Sequence, residues 1–288
     1  MKQMARKILA LVLVCVILTG FGSAAVQAQA SEKDLWKVNL MISDPMELFE
    51  IDPSMIRSVT FLDTLEGKPQ YTWYVGSNRT AAVRAWFEWE NGYADLYFAA
   101  DGGINGRCAA ENLFRDMVNL QEVNFNGAFH TEEALQFNNM FRNCSNLKSV
   151  DISTLKTDAS TSFREMFRGC SSLETVDVSG FTTENVISMY AMFSGCSSLK
   201  TVDVNSFDTA KLLNASYMFS GCTALEEVKM DSWDTAELRY LEGTFRWCPA
   251  MKDLDLKLWE LKDVYTWEGF MEPGKTIGGN NWETFFQK

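Results

Sequence analysis

Apolar and polar positions recur in a fixed order along the middle of the chain. Leu199, Val202 and Val204 are apolar while Lys200, Thr201 and Asp203 are polar. That alternation predicts a strand with Val202 and Val204 inward and Thr201 and Asp203 outward. Next comes a large apolar residue, Phe129, Leu155, Phe181, Phe207, Trp233 or Trp259 in successive units, which predicts one stacked apolar column. Two residues later stands Thr131, Thr157, Thr183, Thr209 or Thr235, a residue type favoured at helix N-caps. Val186, Met189, Phe193 and Cys196 then follow at i, i+3, i+7 and i+10, which predicts a short helix behind the strand. Gly169, Gly195 and Gly221 fall just before a cysteine, where a left-handed residue ends a helix and tucks the next side chain inward.

The order is a repeat. Cys144, Cys170, Cys196, Cys222 and Cys248 are 26 residues apart, within MFRNCSNLKSVDI from Met140, MFRGCSSLETVDV from Met166, MFSGCSSLKTVDV from Met192, MFSGCTALEEVKM from Met218 and TFRWCPAMKDLDL from Thr244. An earlier copy, LFRDMVNLQEVNF from Leu113, has Met117 in the cysteine place. A fixed period of this length means a stacked array, and L-x-x-L-x-L is the strand signature of leucine-rich repeats. The predicted fold class is therefore α/β: a leucine-rich-repeat solenoid with a parallel β-sheet on one face, short helices on the other, and capped ends.

Stacked parallel strands place residues 26 apart side by side, so an exposed column should avoid like charges. Lys148, Glu174, Lys200, Glu226 and Lys252 alternate in sign. Asp151, Asp177 and Asp203 do not, until Lys229 breaks the column before Asp255. Ser149, Thr175, Thr201 and Glu227 lie between the two columns. The like-charged aspartates are unfavourable for folding alone and so mark a surface for function.

Composition narrows the rest. The 288 residues are 47% hydrophobic, enough for a sizeable core, and the net charge of −12 leaves no basic footprint for nucleic acid. Residues 1–30 read as a signal peptide: Lys2, Arg6 and Lys7, then apolar Ile8 to Leu18, then Ala28-Gln29-Ala30. The apolar run is too short to span a bilayer, so no transmembrane segment is expected in the mature chain. The predicted organisation is 1–30 signal peptide, 31–110 N-terminal cap with divergent repeats, 111–263 repeats, and 264–288 C-terminal cap. DPMELFEI is the cap's predicted helix, and Tyr265, Trp267, Phe270, Trp282, Phe285 and Phe286 close the other end. The protein is expected to be secreted or on the cell surface.

Candidate chemistry is sparse. Six cysteines outside the signal peptide allow a disulfide framework, but neighbouring rungs hold Cβ atoms too far apart for easy bonding, so reduced ladder cysteines are expected, with the role of Cys108 open. No C-x-x-C accompanies the single histidine, His130, so neither zinc nor a Cys-His nucleophile is expected. Calcium could neutralise the aspartate column, but no D-x-D-x-D-G loop is present. Asn78-Arg79-Thr80 and Asn214-Ala215-Ser216 match glycosylation acceptors. No cofactor, metal or catalytic residue is predicted, and the chain reads as a non-enzyme.

The units M-F-x-x-C-x-x-L-x-x-V-D-V-S-x-F-x-T resemble the BspA-type leucine-rich repeats of bacterial surface proteins, also catalogued as a family of unknown function. IRSVTFLD from Ile56, VRAWFE from Val83 and LYFAADGGI from Leu96 are similar to that family's divergent leading segment. The resemblance implies an exported bacterial protein with an adhesin-like role: binding a host matrix or plasma protein, a glycan, or other bacterial cells. The contact surface expected is the strand face: Lys148, Asp151, Glu174, Asp177, Lys200, Asp203, Glu226 and Lys229, over a structural ladder of the five repeat cysteines and Leu155, Phe181, Phe207, Trp233 and Trp259. A scaffold module without a soluble ligand, and a secreted hydrolase with its site in 31–110, are the alternatives.

Overall fold

The computed structural model describes residues 52–281 apart from 70–72, 75–82, 108–109, 252, 255, 257–258, 260, 262 and 272–274. The signal peptide, DPMELFEI, Asn78 to Thr80, Cys108, Lys252, Asp255, Trp282, Phe285 and Phe286 lie outside the described residues. Among the described residues the one helical turn is Pro53–Met55, a 3-10 turn capped by the Asp52 carboxylate, which accepts from Ser54 N. No helix among them is long and apolar enough to cross a membrane.

The strands are β1 (Ile56–Leu62), β2 (Trp73–Tyr74), β3 (Arg84–Glu90), β4 (Tyr93–Ala99), β5 (Ile104–Asn105), β6 (Glu122–Asn124), β7 (Phe129–His130), β8 (Thr201–Asp203), β9 (Glu227–Lys229), β10 (Asp253–Leu254), β11 (Thr276–Ile277) and β12 (Asn280–Asn281). They form separate sheets: β2-β3-β4-β1-β6, β10-β11-β12, β5-β7 and β8-β9. In the largest, β1 runs parallel to β4 and β6, and β3 and β4 form an antiparallel hairpin. Asn91 and Gly92 turn that hairpin with positive φ of 51° and 84°, the twist an Asn-Gly turn supplies. Val59 and Phe61 of β1 and Leu96 and Phe98 of β4 are buried, so Ser58, Thr60, Asp95 and Tyr97 take the opposite face. Phe61 stacks on Phe98 with centroids 5.3 Å apart and leads the core into the repeats.

The predicted α/β leucine-rich-repeat architecture is corrected here. Among the described residues the backs of the units carry no helices and the front carries no continuous parallel sheet; those residues form short strands and consecutive turns. The reason lies in where the amides donate. In the unit from Phe163 to Cys170, the N–H groups of Phe163, Glu165, Phe167 and Gly169 donate to Ser188, Tyr190, Met192 and Ser194 carbonyls of the next unit, at 2.7–3.0 Å. Those of Met166, Arg168 and Cys170 donate to the third residue before them, at 3.1–3.3 Å. Alternate lateral donors leave no i to i−4 ladder for an α-helix. Turns closed every few residues bring the same apolar side chains inward that a helix would.

Two left-handed residues per unit close these turns: Glu165 and Gly169, Ala191 and Gly195, Tyr217 and Gly221. Gly195, with φ of +77°, thus has the conformation expected of a helix-ending residue, in a turn rather than at a helix end. The threonines likewise cap no helix. Thr157 is buried, its Oγ1 donates to the Thr182 carbonyl at 3.0 Å and accepts from Thr182 N at 2.8 Å, and Thr131, Thr183 and Thr209 donate to the next unit in the same way.

Stacking makes the core. Phe114, Phe141, Phe167, Phe193, Phe219 and Phe245 form one pile of rings 5.1–5.6 Å apart. Leu155, Phe181, Phe207, Trp233 and Trp259 are buried as a second column. Its tryptophans also hydrogen-bond: Trp233 Nε1 donates to the Val204 carbonyl at 3.1 Å and Trp259 Nε1 to Met230 at 3.4 Å. On the front, β8 and β9 pair Val202 with Val228, whereas the preceding units are joined there by Glu174 N donating to Lys148 O at 2.9 Å.

Candidate functional site

A polar groove runs over the outward face of β4, β1 and β6. Arg57, Ser58, Thr60, Asp95, Tyr97, Gln121, Glu122 and Asn124 line a depression of about 430 Å³. A second, of about 570 Å³, shares Gln121 and Glu122 and continues past Asn146, Lys148 and Ser172 onto the repeats. Strand alternation builds the floor. With Val59 and Val123 inward, Thr60 and Asn124 pair across β1 and β6, and Thr60 faces Tyr97 of β4 on its other side. The register shift between Ile56 and Ser58 puts Arg57 beside Asp95.

Arg57 anchors the acidic end. Its Nη2 donates to Asp95 Oδ2 at 2.5 Å and Glu90 Oε2 at 2.9 Å, its Nε to Asp95 Oδ1 at 3.2 Å, and Ser58 Oγ gives Asp95 its third bond, to Oδ1 at 2.7 Å. The guanidinium holds the Asp95 carboxyl below the usual carboxylate range, and the two carboxylates in turn raise the affinity of Arg57 for its proton. Asp95 is therefore ionised at neutral pH and accepts three hydrogen bonds, which makes it a fixed charge of the floor rather than a group suited to delivering protons. Tyr97 stacks flat on buried Trp86, centroids 5.1 Å and planes 4° apart, and desolvation with the nearby Glu88 and Asp95 raises its phenol. Glu122 accepts from Asn124 Nδ2 at 2.9 Å. The result is a rigid floor of hydroxyls, amides and carboxylates beside one aromatic ring.

The eight strand-face residues expected from the sequence, Lys148, Asp151, Glu174, Asp177, Lys200, Asp203, Glu226 and Lys229, are all exposed. Of these, Lys148 borders the groove. Lys229 reaches Asp203 at 3.4 Å. The aspartate column has a structural account. Asp151, Asp177 and Asp203 each accept the amide N–H two residues on, from Ser153, Ser179 and Asn205 at 3.0, 2.9 and 3.1 Å, closing the turn after the strand. The hydroxyls of Ser153 and Ser179, together with these amides, lower the carboxyls of Asp151 and Asp177.

The five ladder cysteines are buried thiols outside any disulfide, each Sγ donating to a phenylalanine carbonyl of the preceding unit. His130 lies in β7, half-buried, with Nε2 3.2 Å from the Gly102 carbonyl. Among the described residues no three His, Cys, Asp or Glu side chains converge as a metal site. The groove residues Arg57, Thr60, Asp95, Tyr97 and Asn124 were not picked out from the sequence. The signal was the alternation within IRSVTFL and YADLYFA, which assigns Ser58, Thr60, Asp95 and Tyr97 to one face.

The family described as Mycoplasma protein of unknown function, DUF285, matches residues 108–226 and again residues 161–282. Together the two matches cover more than half of the chain. The chain belongs to this family. No curated protein and no solved structure shows significant similarity to it. The DUF285 match takes in all the cysteine units, whereas the Arg57 to Tyr97 part of the groove precedes it.

Proposed function

We propose that this DUF285 protein is exported by a bacterium and binds an extracellular protein or glycan through the polar groove and the strand-side surface continuous with it. The observation that carries the reading is the groove itself: a preordered floor of Thr60, Asn124, Glu122 and Tyr97, held in place by the Arg57–Asp95 pair, open to a polar chain. Neutral and charged hydrogen-bonding groups alternate there, which suits sugar hydroxyls or an extended peptide. The resemblance of the repeats to BspA-type surface proteins supports an adhesin-like role, and the leader at residues 1–30 supports export. The acidic balance of the whole chain, −12, favours partners with basic groups.

The test is binding of the purified chain to matrix proteins, plasma proteins, glycan arrays and bacterial cells at two salt concentrations, beside the double variant Glu122→Ala, Asn124→Ala. Both side chains are outside the core, so the fold is retained. Saturable binding weakened roughly tenfold or more by the variant is expected for central interface residues. Binding that ignores the variant, or no binding across the panel, overturns the reading.

A further inference from the structure

The groove has one aromatic wall, and the free side of that wall defines a subsite. Trp86 of β3 and Tyr97 of β4 are cross-strand partners whose rings stack flat, centroids 5.1 Å and planes 4° apart. That separation is close to the distance between neighbouring strands, so both rings stand up from the sheet and stack along the row of strands. Buried Trp86 therefore holds Tyr97 upright from the β3 side, and the other ring face turns to the β1 side. There the register partner is Thr60, and beyond Thr60 comes Asn124 of β6. Thr60 is short, so a gap stays open above it between the Tyr97 ring and the Asn124 amide. The strands that carry those two walls are two spacings apart, about 9.6 Å. Tyr97, Thr60 and Asn124 all line the depression of about 430 Å³.

The polar groups around the gap are unspent. Among the described residues the Thr60 hydroxyl and the Gln121 side-chain amide make no hydrogen bond, and Asn124 uses its Nδ2 on Glu122 while its Oδ1 accepts none. In charge the lining of the two depressions balances, Arg57 and Lys148 against Asp95 and Glu122. The acidic balance of the chain thus lies outside these groups. Asp95, on the same face of β4 as Tyr97, is already taken by Arg57 and Ser58, which leaves it a weak draw for a cation stacked on the ring. A flat apolar wall, a balanced lining and several free hydroxyl and amide groups complement a sugar ring, which has a face of C–H bonds and a rim of hydroxyls. We propose that the gap over Thr60 takes a neutral pyranose of a glycan, stacked on the free face of Tyr97, with its hydroxyls on Thr60, Gln121, Glu122 and Asn124. The inference rests on the groove being the binding surface and narrows its ligand to a sugar.

An array of neutral hexose and N-acetylhexosamine oligosaccharides, with sialylated and sulfated forms and oligoarginine peptides beside them, tests this on the purified full-length chain. Binding to neutral glycans is expected, and calorimetry with the bound saccharide then compares Tyr97→Leu, Tyr97→Phe and Thr60→Phe. Tyr97→Leu should weaken binding roughly tenfold or more, Tyr97→Phe, which keeps the ring, should bind as the unmodified chain does, and Thr60→Phe, which fills the gap, should abolish binding. Melting curves on each variant check folding; Thr60→Phe changes an outward side chain and carries the test if Tyr97→Leu unfolds. Equal losses in Tyr97→Phe and Tyr97→Leu overturn the stacked ring. Binding confined to charged glycans, to oligoarginine or to a protein free of glycan, and weakened by Glu122→Ala with Asn124→Ala, overturns the neutral sugar and leaves the groove reading standing. So does neutral-glycan binding that this pair of substitutions weakens but Tyr97→Leu and Thr60→Phe leave unchanged. Glycan binding indifferent to every variant, or no binding at all, overturns both.

Discussion

The Sγ of Cys170 donates to the carbonyl oxygen of Phe141, 3.0 Å away, and the same pairing recurs from Cys144 to Phe114, Cys196 to Phe167, Cys222 to Phe193 and Cys248 to Phe219. Burial pushes the Cys170 thiol up to about 12, and those of Cys144, Cys196 and Cys222 upward as well. Since the thiolate is the reactive form, these thiols should be inert in the folded protein. Alkylation at about pH 8, mapped by peptide mass spectrometry, is expected to leave all four unmodified until denaturant is added. Native-state labelling of Cys170 or Cys196 would contradict the buried ladder.

The threonine ladder makes a sharper demand. Thr157 makes both its bonds to the backbone of one residue, Thr182, in a buried place. Thr157→Val keeps the shape but leaves a buried N–H without this partner, at a cost of about 1–3 kcal/mol. Thr157→Ser keeps the hydroxyl and should cost less. Urea denaturation of the two variants checks the order, and equal stabilities would sink the argument.

Glycine tests the turns. Gly195 has φ of +77°, and an added Cβ would meet the Gly169 backbone at 3.5 Å, ordinary contact. Gly195→Ala should therefore cost only the left-handed penalty, about 1–2 kcal/mol. At Gly169 the same Cβ would come 2.5 Å from Asn143 Oδ1, on a side chain already bonded to Asp116. Gly169→Ala should be the more damaging of the two by thermal melting.

These turns also mark the limit of the sequence. The period, the inward Leu199, Val202 and Phe193, and the special backbone at Gly195 were legible because each repeats with its residue type. The second left-handed position was not, because Glu165, Ala191 and Tyr217 share no chemistry that announces it. Without it, Val186, Met189 and Phe193 fit a helix as well as a run of turns. The turn-closing role of the aspartate column was hidden for a related reason: charge alone suggested repulsion, whereas Asp177 accepts locally from the Ser179 amide. The groove was hidden by distance, since Arg57 and Asp95 are 38 residues apart in a segment without the repeat.

Acid should expose that pair. Arg57 holds Asp95 below its ordinary range, so the folded state binds the proton more weakly than the unfolded chain does. The stabilisation is complete above the unfolded carboxyl value of about 3.9 and is lost as pH falls through the lower folded one. Asp151 and Asp177, lowered by the amides and hydroxyls of Ser153 and Ser179, act in the same direction. The melting temperature should thus hold steady at mildly acidic pH and drop below about pH 4. Asp95→Asn removes one of these contributions, leaving Glu90 as the carboxylate ion-paired with Arg57. It should melt lower at neutral pH and fall less steeply in acid. Parallel curves for the two proteins would show that the Arg57–Asp95 pair contributes nothing to holding the groove.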